Sequence, residues 1–92
     1  MATSDKVNFP DVSPSVMLEF LKEKGCTQHA KDDFFYIHCK KSDIPPIKFP
    51  KQGMVIDVTV AGIVYLLGED PAKSISRLNE LQSKENHHNK RI

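Results

Sequence analysis

Two histidines, His29 and His38, bracket the stretch HAKDDFFYIH. An imidazole changes charge near neutral pH, so two of them can serve as base and acid in one reaction. Cleavage of RNA by its own ribose 2′-hydroxyl needs that pair: one ring takes the hydroxyl proton and the other protonates the departing 5′-oxygen. In the plainer reading both are half-exposed strand residues. Lys31, Lys40, Lys41, Lys48 and Lys51 surround the same stretch, and Tyr36 or Phe34 offers a ring on which a base can stack. The plainer role for these lysines is to blunt an exposed sheet edge against aggregation. His87 and His88 could join His29 or His38 around a metal, but no Cys or Asp completes a preformed site, and the expectation is no metal and no cofactor. Gly53, Gly62 and Gly68 do not form a phosphate-cradling loop, and no nucleophile stands beside a recognisable base.

The elements that must position these residues follow from periodicity and caps. Ser13-Pro14 starts a helix: the serine hydroxyl accepts from a free backbone N–H, and proline at the first helical position gives up a donor that had no partner. Val16, Met17, Phe20 and Leu21 then share one face, and Gly25 supplies a left-handed stop. A short strand is expected from Cys26 to His29, with a turn over Ala30, Lys31, Asp32 and Asp33. The run from Phe34 to Cys39 follows, alternating Phe35, Ile37 and Cys39 on one face with Phe34, Tyr36 and His38 on the other. Lys40, Lys41, Ser42 and Asp43 make a polar turn, Pro45-Pro46 forbids a helix, and Ile47-Lys48-Phe49 makes a third strand.

The stretch FPKQGMVIDVTVAGIVYLLG has two readings. Alternation of Ile56, Val58 and Val60 favours a strand. An unbroken strand over residues 54–67 would greatly exceed the usual length of about 5–6 residues, and Gly68 is a helix stop, so a helix from Asp57 or Val58 to Leu67 is preferred. Asp70-Pro71 opens a last helix with Ile75, Leu78 and Leu81 on its apolar stripe, fraying near Lys84. The expected organisation is a flexible arm over residues 1–12, a single α+β domain over 13–84 and a loose tail over 85–92. Its sheet is small, three-stranded and antiparallel, flanked by helices in the order α-β-β-β-α with a C-terminal accessory helix.

The chain has 92 residues, room for one domain. Thirteen basic and twelve acidic residues leave a net charge of +1, which excludes nucleic-acid binding by global charge but permits a local basic patch. Cys26 and Cys39 lack the spacing of a zinc knuckle or redox pair, and are expected as buried free thiols in a reducing compartment. The polar N-terminus and the lack of an apolar run of about 18 residues point to a cytoplasmic protein with no membrane partner.

Three segments, MLEFLKEKG, FFYIHCKK followed by IKFPKQG, and TVAGIVYLLG, together resemble the HicA-like family of small toxins, whose fold is like that of double-stranded-RNA-binding domains. The similarity spans residues 13–68. It implies binding of structured or messenger RNA, metal-independent endoribonuclease chemistry where the site is intact, and a cognate partner such as an antitoxin. In that family a histidine opens the second strand. Asp33-Phe34 occupies the matching place here, which implies an RNA-binding relative degenerate in catalysis. The alternative is a protein-interaction or inhibitor module using the aromatic strand over residues 34–39, or a homodimer formed through it.

Overall fold

The computed structural model describes residues 8–40 and 43–89, with side chains through Glu85. The elements run α1 (Pro14–Glu23), β1 (Thr27–Lys31), β2 (Phe34–His38), β3 (Ile47–Pro50), α2 (Asp57–Leu67) and α3 (Pro71–Asn89). The strands form one open antiparallel sheet in the order β1-β2-β3. This is the α+β architecture expected from the sequence, helices flanking a three-stranded sheet.

α1 begins as its caps dictate. The Ser13 hydroxyl accepts from Val16 N–H at 3.2 Å, Pro14 takes the first helical position, and Gly25 holds φ at 84° beyond the end. Val16, Met17, Phe20 and Leu21 turn inward, each at most 3 % exposed. The β1–β2 hairpin is longer than expected: Ala30 and Lys31 belong to β1, and the turn shrinks to Asp32 and Asp33. Asp32 makes this possible by adopting φ 55°, a left-handed conformation that aspartate tolerates better than most residues and that suits the twist of a two-residue hairpin.

The ambiguous stretch resolves into a helix preceded by a single bridge. Val55 pairs with Val12, Val55 N–H donating to Val12 O at 2.7 Å, and the chain then turns into α2 at Asp57. Gly68 closes α2 in the left-handed conformation at φ 72°, where its N–H and that of Glu69 donate back to Tyr65 O and Val64 O. Phe9 and Val12, from the expected flexible arm, pack on the domain, and Val12 is fully buried. Residues 1–7 lie outside the described part.

α3 opens on Asp70, whose carboxylate accepts from Lys73 N–H at 2.9 Å. The expected fraying at Lys84 is corrected, because the helix continues to Asn89. Beyond Leu81, where the apolar stripe ends, polar latches take over. Gln82 accepts from Ser13 N–H and donates to Asp11 O, and Glu85 accepts from the Ser13 and Ser15 hydroxyls. The remaining residues of the expected tail, 90–92, are outside the described part. The core joins the inner sheet residues Ile37, Ile47 and Phe49 to Phe20, Val60, Val64 and Leu78 from the helices.

The expectation of free thiols is also corrected: Cys26 and Cys39 are joined by a disulfide. Register is the physical reason. Thr27 stands opposite His38, so the next residues outward, Cys26 and Cys39, face each other across the open end of the hairpin with Cα atoms 4.1 Å apart. Among the described residues no helix is long and apolar enough to cross a membrane.

Candidate nucleic-acid interface

Strand geometry sorts the hairpin's side chains onto two faces. Ile37, Ile47 and Phe49 are buried on the inner face, and Phe35 packs beside Phe49 with ring centroids 5.9 Å apart. The outer face takes the alternate residues. His29 stands opposite Tyr36, Lys31 opposite Phe34, Thr27 opposite His38, and Tyr36 in turn opposite Lys48. No carboxylate occupies an outer-face strand position in this register.

The two histidines foreseen as a pair do approach one another. Their ring centroids are 6.5 Å apart, and Tyr36 lies 5.8 Å from His29. With Lys31 they line a shallow depression of about 250 Å³. Two imidazoles at this separation can bracket a phosphodiester, with one facing the 2′-hydroxyl and the other the 5′-oxygen, while a neighbouring ammonium offsets charge that grows on the phosphoryl oxygens. Lys48 is held on the same face by a cation–π contact, its Nζ 4.5 Å from the Phe34 ring centroid. Phe34 therefore positions a cation and is the outer-face contributor least legible in the sequence, since only the register shows which lysine its ring meets.

The lysines do not form one cluster. Lys31 and Lys48 share the outer face with Tyr36, whereas Lys40 follows Cys39 at the open end of the hairpin. Lys51 is beside the Asp32–Asp33 turn, its N–H donating to Asp33 O at 2.9 Å. Lys41 lies outside the described residues, as do the side chains of His87 and His88. Among the described residues no three His, Cys, Asp or Glu side chains converge as metal ligands. Phe34 is the first residue of β2, and His38 closes the same strand at its other end.

A larger cleft of about 350 Å³ lies between α1 and α3, lined in part by Ser15, Arg77, Lys84 and Glu85. Three of its polar side chains, Ser15, Arg77 and Glu85, are engaged within the fold. Arg77 donates to Glu23 and Glu80, and Glu85 accepts from two serines. The hydrogen bond from Arg77 holds the Glu23 carboxyl below the ordinary carboxylate range, and the same contact raises the guanidinium's own pKa. These contacts brace the two helices against each other.

No family model matches the chain, and no curated protein or solved structure matches it either.

Proposed function

We propose that the outer face of the sheet binds RNA, in a domain that resembles HicA-like toxins and is degenerate in catalysis. The observation that carries this reading is the convergence of His29, Tyr36, His38, Lys31 and Lys48 on one open face, with cations at its flank and an aromatic ring at its centre. Phosphates would meet the two lysines, and an unstacked base would lie on Tyr36. The histidine pair adds a route to cleavage: one imidazole takes the 2′-hydroxyl proton as the 2′-oxygen attacks phosphorus, the bond to the 5′-oxygen breaks, and that oxygen takes a proton from the second imidazole. A 2′,3′-cyclic phosphate and a free 5′-hydroxyl result. This chemistry uses no metal.

The cytoplasm, where messenger RNA is found, is the compartment this reading implies. The thiol pool there would reduce the Cys26–Cys39 bridge, leaving the hairpin to its hydrogen-bond ladder. A cognate protein partner would cover the same face and compete with RNA for it.

The test is a titration of fluorescent single-stranded and hairpin RNA at several salt concentrations, with products resolved on a gel. Binding should weaken linearly in log salt. Tyr36→Ala should cost about 1–3 kcal/mol of affinity if one base stacks there. Any cleavage should vanish in His29→Ala and in His38→Ala. Binding that ignores both salt and the Tyr36 substitution sinks the proposal.

A further inference from the structure

Met54, Ile56, Val58, Tyr65 and Leu66 are the large apolar side chains most exposed among the described residues, at 45 to 68 %. All lie on α2 or in the run that enters it. α2 sends Val60, Ile63, Val64 and Leu67 into the core, yet Val58, Ala61, Gly62, Tyr65 and Leu66 recur at the spacing of a second helical stripe on the opposite side. A helix with apolar stripes on opposite sides belongs between two layers, and among the described residues the second stripe is only bordered, by Phe9, whose ring stands edge-on to Tyr65 with centroids 5.9 Å apart.

Gly62 sharpens the point. It sits in the middle of α2 on the exposed stripe, and a Cβ built there would meet nothing within 4 Å. Glycine weakens a helix interior relative to alanine, and no contact among the described residues requires it. A second backbone passing close by would. The five exposed side chains present roughly 500 Å², the scale of a patch that marks a contact surface. Doubled by symmetry the area is about 1,000 Å², the least that a specific interface needs.

We infer that this face is a homodimer interface, with α2 packed antiparallel against α2 of a second copy about a two-fold axis near Gly62. Antiparallel pairing about an axis at Gly62, the middle residue of α2, lets the same stripe of each copy cover the other and opposes the helix dipoles favourably. The inference does not depend on the RNA reading, and it leaves the strands of both copies open.

The test is sedimentation equilibrium of the full chain over a concentration series. The wild type should show a monomer–dimer equilibrium. Val58→Lys and Leu66→Lys should each raise the dimer dissociation constant by about tenfold or more while the circular dichroism spectrum is unchanged. Gly62→Gln should do the same, and because glutamine is the better helix former, its loss of dimer cannot come from a melted α2. A wild type that stays monomeric to about 1 mM overturns the inference. So does a dimer that all three substitutions leave intact.

Discussion

The two edge strands of the sheet are held by different forces. In β3, Ile47 and Phe49 are buried at 4 % and 1 % exposure while Lys48 and Pro50 face outward, so the core grips every second residue. In β1 every residue from Thr27 to Lys31 is exposed. It stays in place through its ladder to β2 and through the Cys26–Cys39 bridge at one end. The candidate site spans both strands, taking Lys48 from one and His29 and Lys31 from the other. One half of the site is thus built on the core, and the other half is attached to it.

The strongest way to test that difference is to remove the grip on β3. Phe49→Ala deletes a fully buried ring that packs beside Phe35, and should cost about 3–5 kcal/mol of global stability by chemical denaturation. The whole domain should melt earlier as one unit, because the residues around Phe49 belong to the core shared by all three helices. A loss below about 1 kcal/mol would show that β3 is not anchored by its buried face.

The second test acts on β1. The bridge closes a loop with a sequence separation of 13, for which chain entropy predicts a contribution of about 3 kcal/mol. Reduction with a dithiol, or the double substitution Cys26→Ser with Cys39→Ser, should lower stability by about that amount or less. Hydrogen exchange should separate this effect from the first. Amides of β1 should lose protection well before those of β2 and β3, since no buried side chain retains β1 once the bridge is open. Uniform loss across all three strands would erase the distinction between the edges.

The same asymmetry explains how far the sequence could be read. α1 and α3 announce their starts because their caps, Ser13-Pro14 and Asp70-Pro71, are adjacent in the chain and act locally. α2 does not, because Ile56 offers no capping side chain and the Asp57 N–H donates instead to Asp11, far away in sequence. The end of α3 was missed for a similar reason: Gln82 and Glu85 are polar, and only the fold shows that they latch onto the start of α1. At the site, alternation within β2 correctly separated Tyr36 and His38 from Ile37, but the facing of His29 and His38 needed the register. That register depends on where the hairpin turns, and Asp32 turns it two residues later than composition suggested. The disulfide follows from the same shift. Counting lysines along the chain could not reveal that Lys40 and Lys51 sit at opposite ends of the hairpin.

The smallest effects on stability, and the finest test of the comparison, come from the outer face. Lys31→Ala and Lys48→Ala each remove an exposed side chain, and each should change stability by no more than about 0.5 kcal/mol. Lys48→Ala also gives up the contact with the Phe34 ring, so it should be the costlier of the two. In RNA binding both should weaken affinity with little regard to sequence, and each should reduce the salt slope by about one. The edges differ once the bridge is reduced. Lys48 rides on a strand that the core still holds, so its substitution should cost the same affinity in reduced and oxidised protein. Lys31 rides on a strand that reduction loosens, so its contribution should shrink, and the oxidised protein should bind RNA more tightly than the reduced one. Equal contributions from both lysines in both redox states would mean that the ladder to β2 is enough to fix β1, and that the bridge does not govern the geometry of the site.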